Sequence, residues 1–295
     1  MIKVSLRDWL ILFLLSAVWG SSFILIKRGL DGLSWHHVGA LRVTVACLSL
    51  LPLLFIYGRR ITKRNFMHIT WVGVLGVGVP PFLFALAQEQ VPSGIAGILN
   101  STTTFFVLIL GVLLFAVRFA WFKAAGVLLG MIGVAMLLLD SIEKPVTSEL
   151  EYSLIILLAT LMYGASVNIL KYYLQGVHAL AISGAMMIVP AVPALIHLLT
   201  SGFITEVATS AKALESAGFV CILAVFGTAA ANVIFFGLTQ RTNALFASTV
   251  TYLIPIVAIG WGFLDGEPIR LAHVIGMVLI LAGVYLASLR RKKAA

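Results

Sequence analysis

The sequence predicts an all-α integral membrane protein: ten transmembrane helices arranged as two inverted five-helix repeats. Three observations carry this. Hydrophobic residues make up 61% of the 295 and charged residues 11%, and the mean hydropathy is +1.09; a soluble domain carries roughly a quarter of charged residues. The apolar residues fall into runs of about 20, the length that crosses a bilayer as a helix. An unusual stretch, WGSSFILIKRGL at 19–30, returns as YGASVNILKYYL at 163–174. The alternating polarity of a membrane β-barrel strand does not occur in the sequence.

Taken in order, the apolar runs place spans near 8–28, 37–57, 66–87, 93–117, 121–139, 152–173, 179–200, 216–238, 242–264 and 270–289. Five lie in a first unit, 8–139, and five in a second, 152–289. Residues 140–151 link them, and 290–295 form a basic tail. Lys3 and Arg7 before a short apolar core resemble a secretory leader, but the likeness of the first span to the sixth marks it as retained. With the N-terminus inside, fourteen basic residues lie inside: Lys3, Arg7, Arg59, Arg60, Lys63, Arg64, Arg118, Lys123, Lys171, Arg241 and the four of the tail. Five lie outside: Lys27, Arg28, Lys144, Lys212 and Arg270. The excess of inside Lys and Arg predicts a multi-pass protein of the cell inner membrane with both termini cytoplasmic. Trp9, Trp35, Trp71 and Trp121 fall near span ends, where interfacial aromatics gather; Trp19 falls near mid-span.

The net charge of +9 is spread along the chain, which excludes the concentrated basic face of a nucleic-acid binder. The RRKK run at 290–293 reads as a cytoplasmic anchor. Cys47 and Cys221 sit within apolar runs, so no disulfide framework or CxxC metal site is available.

The duplication extends beyond the two quoted stretches. His37 and Pro52 match His178 and Pro193; Gly76, Ala96 and Gly111 match Gly227, Ala247 and Gly262; Gly126, Gly133 and Val134 match Gly276, Gly283 and Val284. Five spans per unit is an odd number, so the second unit enters the membrane from the opposite side. Inverted repeats suit alternating access, because exchanging the conformations of the halves moves a central site from one side to the other. A secondary transporter follows on these grounds alone.

WGSSF with Lys27, the Leu41–Arg42 pair, VPSGIAGILNSTTTFF at 91–106, the Gly266–Glu267 pair and GMVLILAGVYL at 276–286 together resemble the EamA type of the drug/metabolite transporter superfamily, over nearly the whole chain as two units. The resemblance implies a ten-helix carrier with a central cavity lined mainly by helices 1, 3, 4, 6, 8 and 9. Two departures stand out. Thr104 occupies a position where the fourth helix often has proline, which Pro255 keeps in the ninth, and FAVRF at 115–119 replaces an acidic motif.

Polar groups at membrane depth tend to face a cavity or another helix. Asn100, Thr103 and Thr104 share one face of the fourth span, and by the repeat Thr251, Pro255 and Tyr252 form a matching wall. Trp19 with Ser22, and Tyr163 with Ser166, offer an aromatic face beside a hydroxyl, suited to an apolar ligand with one polar end. Asn168 and Asn232 are isolated amides that can hold a polar head group or bond between helices. Lys27 ends a span on the side the insertion rule disfavours, whereas Lys171 obeys the rule. Lys27 and Arg42 are therefore either snorkelling anchors or a cationic vestibule for carboxylates. Pro80, Pro81, Pro190, Pro193 and Pro255 interrupt their spans, as broken helices beside transporter sites do.

No acidic residue stands at mid-membrane, with Glu89 at a span end, so carboxylate-based proton or sodium coupling has no obvious centre. Ion coupling stays open as a partner, beside a small-molecule substrate and membrane lipids. HExxH, Walker A and GxSxG are absent, and no cofactor, metal or catalytic residue is expected. His36–His37 alone does not make an enzyme of the chain, and His197 and His273 read as structural. The expected function is alternating-access export of an amino acid or a similar amphipathic metabolite. The alternatives are a nucleoside or drug-like cargo and, in another class, a membrane-embedded enzyme acting on lipid or peptide.

Overall fold

The computed structural model describes residues 5–115, 121–142, 148–242 and 250–288. The expectations for Lys3, Arg118, Lys144, Ala247 and the basic tail lie outside these residues. Regular structure among the described residues is helical throughout. In chain order it comprises α1 (Leu6–Gly20), α2 (Ser22–Leu30), α3 (Trp35–Tyr57), α4 (Lys63–Gly73), α5 (Pro80–Ala87), α6 (Ser93–Asn100), α7 (Thr103–Leu114) and α8 (Trp121–Ile142). There follow α9 (Ser148–Tyr173), α10 (Ala179–Ala185), α11 (Ile188–Thr200), α12 (Phe203–Thr209), α13 (Ala211–Ile222), α14 (Ala231–Arg241), α15 (Val250–Leu264) and α16 (Leu271–Ser288).

Seven described stretches are long and apolar enough to cross a membrane: Leu6–Leu30, Trp35–Tyr57, Lys63–Ala87, Ser93–Leu114, Leu150–Tyr173, Ala179–Thr200 and Ala211–Phe235. Shorter apolar helices run over Lys123–Leu137, Val250–Leu264 and Leu271–Leu286. Phe55, Leu113, Trp121, Phe263 and Leu264 are strongly exposed, an apolar surface that lipid accepts and water does not. Several helices begin earlier than hydropathy alone sets them, because polar caps sit outside the apolar run. Ser5 and Asp8 form a reciprocal capping box, so α1 starts at Leu6. Thr62 caps α4 through the Asn65 amide and Ser210 caps α13 through that of Ala213, each satisfying a first-turn N–H.

Two crossings contain a π-helical section, Val74–Gly78 between α4 and α5 and Leu223–Ala230 between α13 and α14. The repeat-matched glycines Gly76 and Gly227 lie one in each. The first has an evident cause. Pro80 cannot donate a backbone bond and its ring crowds the preceding turn, so the Val79 amide reaches back five residues to Val74 O at 2.9 Å. The second section contains no proline, and its widened turn holds Thr228 instead. Other breaks occur at Ser21, at Ser101–Thr102 and at Met186–Met187. Pro193 and Pro255 leave α11 and α15 continuous.

The buried cluster draws on both halves of the chain and includes Phe23, Ile69, Phe84, Leu99, Ile156, Met187 and Leu223. In lipid, helices associate by close packing more than by burial from water, so small residues mark their contacts. α8 and α16 pack antiparallel through glycines: a Cβ on Gly133 would lie 2.7 Å from Gly276 O, and one on Gly283 would lie 2.5 Å from Gly126 O. Side chains at either position would force the pair apart.

Candidate functional site

At the end of the bundle bearing residues 27–36, the Gly266–Glu267 pair acts as a latch. Gly266 takes a left-handed φ of 75°, which glycine adopts without a steric penalty. The chain leaving α15 thereby folds back on itself. Glu267 then reaches the start of α6, where Oε1 accepts the Ser93 amide at 2.9 Å and Oε2 accepts the Gly94 amide at 3.0 Å. First-turn amides lack helical partners, and the helix dipole favours an anion there.

Lys27 Nζ donates to the same Oε1 at 2.8 Å and lies 2.5 Å from Asp265, while Arg28 pairs with Asp265 and with Asp31. Burial alone pushes the Glu267 carboxyl up, but the bonds from Lys27, Gly94 and Ser93 outweigh it and hold the carboxyl below its ordinary 4.5. At Lys27 the charge expected of a cationic vestibule pairs with Asp265 and Glu267, which tie α2 to the α15–α16 turn and to α6.

Arg42 differs. It lies about two turns into α3, roughly 10 Å along the axis, and is half-buried. Its Nε donates to Thr228 Oγ1 in the second π-helical section at 3.0 Å. Among the described residues no carboxylate pairs with it. Tyr163 of α9 is an electrostatic neighbour of Arg42 and stacks on Phe84, with centroids 5.9 Å apart.

The same π-helical section gathers further expected residues. Trp19 Nε1 donates to Gly227 O at 3.0 Å and its ring lies 5.2 Å from Phe235. Asn232 Nδ2 donates to Thr228 O at 2.7 Å. A Cβ on Gly227 would meet Ser22 Oγ at 3.1 Å, and in the matched pair a Cβ on Gly76 would meet Ser166 Oγ at 2.6 Å. The fold therefore brings Trp19, Ser22, Arg42, Tyr163 and Asn232 around the two π-helical sections. Hydroxyl, aromatic and guanidinium groups in one place can hold a carboxylate attached to an apolar body.

Other expected residues are placed differently. Asn168 Nδ2 donates to Gly164 O within α9 and to Val107 O, the second bond joining α9 to α7. Tyr252 donates to Val284 O at 3.3 Å, and neighbouring Thr251 is half-buried. Thr103 donates to Asn100 O. The side chains of Asn100 and Thr104 are half-buried beside the α6–α7 break. Pro80 and Pro81 are buried at the start of α5, Pro255 is buried in α15, and Pro193 is exposed. Thr228 was missed: a threonine in FGTAA gives no sign that an arginine 186 residues earlier in the chain will bond to it.

The family model described as the EamA-like transporter family matches residues 7–139 and, a second time, residues 151–289. The chain belongs to the EamA-like transporter family. Among the curated members it resembles, an uncharacterized transporter of Archaeoglobus fulgidus is 24% identical, over 97% of this chain and 100% of its own length. A probable amino-acid metabolite efflux pump of Salmonella typhimurium is 27% identical, over 96% of this chain and 95% of its own. A probable terminal-alkyne amino-acid exporter of Streptantibioticus cattleyicolor is 26% identical, over 98% and 95%. A solved crystal structure superposes with a TM-score of 0.63 over 95% of this chain and 96% of its own, at 17% identity. That likeness shows a shared fold. As an EamA-like transporter, the chain is a multi-pass membrane protein that moves a small molecule, and the Arg42 cluster is its candidate binding site.

Proposed function

We propose that this transporter exports amino acids or related carboxylate-bearing amphipathic metabolites across the inner membrane by alternating access. The observation that carries the reading is Arg42, a half-buried interior guanidinium whose recorded partner is the neutral Thr228 hydroxyl. An intramembrane cation is costly unless it is paired, and a cargo carboxylate supplies the missing charge. A charge-assisted hydrogen bond contributes about 1.5–3 kcal/mol. Trp19 and Tyr163 offer apolar faces for the side chain of the cargo, and Ser22 and Asn232 offer polar contacts. Relatives named for amino-acid efflux and export support the cargo class and the direction.

The architecture in this reading is ten helices in two inverted five-helix repeats, 8–139 and 152–289, with both termini cytoplasmic. The twice-matched family model supports it. So does the α8–α16 contact, in which Gly126 meets Gly283 and Gly133 meets Gly276. Because Gly126 corresponds to Gly276 and Gly133 to Gly283, the two contacts exchange under a twofold axis. The Lys27–Glu267 latch then closes the outer end of the site, and opening it exchanges access. Efflux from vesicles holding purified protein, loaded in turn with amino acids, their esters and nucleosides, tests the reading. Export of amino acids with no export of their esters is expected; export of nucleosides alone would refute it.

A further inference from the structure

Three histidines from the two halves of the chain converge where α3 begins and α11 ends. His36 and His37 open α3, and His197 lies in the last turn of α11. His36 Nδ1 stands 2.8 Å from His197 Nε2, and one ligand nitrogen from each of the three rings lies within 4.8 Å of the others. His37 Nε2 is 2.8 Å from Ser201 Oγ, and its Nδ1 is 2.9 Å from Glu206 Oε2 on α12. The left-handed Gly202, at φ 82°, turns the chain from α11 into α12 and so sets Ser201 and Glu206 beside His37. Trp35 and Phe203 pack their edges against His36 and His37 and wall the cluster.

We propose that His36, His37 and His197 form a binding site for a divalent transition metal ion of the zinc class, with Glu206 as the carboxylate that orients His37. Three imidazoles, with water as the fourth ligand, match the ligand set such ions take. Mg2+ and Ca2+ demand oxygen ligands and are not accommodated. Tetrahedral zinc–nitrogen bonds of about 2.0–2.1 Å place ligand nitrogens roughly 3.3 Å apart. The His36–His197 contact then opens by roughly half an ångström, the longer separations close and the Ser201 hydroxyl gives up His37 Nε2 to the ion, which side-chain rotation accomplishes. A carboxylate beside a second ring nitrogen is the usual outer partner of a metal-bound histidine. The bound ion would cross-link α3 in the first half to α11 in the second.

Titration of the purified, tag-free, full-length chain with Co2+ tests the proposal, because tetrahedral Co2+ absorbs visible light and can be followed directly. The expected result is a visible band that saturates at one ion per chain, is displaced by Zn2+ and is unaffected by excess Mg2+. His36→Ala and His197→Gln remove the band, and Glu206→Gln weakens binding by about 10- to 100-fold. Zn2+ should raise the unfolding temperature of the wild type but not of His197→Gln. A wild-type chain that develops no band overturns the proposal, and that measurement stands even if every variant misfolds. A band that survives both histidine substitutions marks adventitious binding and overturns it equally. None of these readouts depends on the cargo.

Discussion

Lys27 and Arg42 are cations from neighbouring helices of the first half, and both look alike in sequence: a basic residue in an apolar run. Their surroundings differ. Lys27 Nζ meets two carboxylates, from Asp265 and Glu267, whereas Arg42 donates to a neutral hydroxyl and has Tyr163 as an electrostatic neighbour. A cation paired with acids contributes to holding helices together and has little left for a ligand. A cation held by neutral groups keeps its electrostatic demand, which a ligand can satisfy. In the proposed reading, the contrast separates a charge that ties helices together from one that is left to bind cargo.

Substitution at Arg42 should give the largest effect. Arg42→Gln removes a charge-assisted contact of about 1.5–3 kcal/mol, so apparent affinity for a carboxylate cargo should fall roughly 10- to 150-fold while the protein still purifies folded. Arg42→Lys should recover part of the loss, since charge survives but the forked geometry does not. Vesicle efflux rates measured against cargo concentration check both.

At the latch the principal effect should be on stability. Glu267→Gln keeps the shape but removes the charge that Lys27 and the α6 amides satisfy. A loss of about 1–3 kcal/mol should appear as a lower unfolding temperature. Lys27→Met should cost less, because Lys27 is a third exposed and Glu267 retains both amide bonds.

The same carboxylate sets a pH dependence. Its folded-state pKa is below its ordinary 4.5, so its contribution is fully present above pH 4.5. It is lost as pH falls through the lower folded value, because the unfolded chain binds the proton more tightly. Wild-type unfolding temperature should therefore drop more steeply below pH 4.5 than that of Glu267→Gln.

The smallest effect should come from Asn168, whose amide joins α9 to α7. Asn168→Ala removes one interhelical bond, of a kind worth about 0.6 kcal/mol on average in membranes, and should change stability slightly and cargo affinity hardly at all. If Asn168→Ala instead reduces cargo affinity as much as Arg42→Gln, the division between structural and functional polar groups fails.

Much of this was legible in the sequence, and the limits have physical causes. Hydropathy locates the helices because lipid requires every exposed face to be apolar, and the helix starts at Ser5, Thr62 and Ser210 are local capping chemistry. Pro80 signals the first π-helical section because a missing N–H acts within one turn. The second section, around Thr228, has no such local mark. The partners of Lys27, Arg42 and His36 lie 240, 186 and 161 residues away, and helical periodicity carries no information about which distant helix a side chain faces. Glu267 stood out only as half of a familiar pair of residues. Its role as a cap for α6 and counter-charge for Lys27 required the fold.

The most direct test of the account is a binding comparison between an amino acid and its methyl ester on purified wild type, Arg42→Gln and Lys27→Gln, with the cargo taken from the vesicle panel. In wild type the acid should bind more tightly than the ester. Arg42→Gln should abolish that preference by weakening the acid alone, and Lys27→Gln should leave the ratio unchanged. A preference that survives Arg42→Gln but disappears in Lys27→Gln would contradict the account.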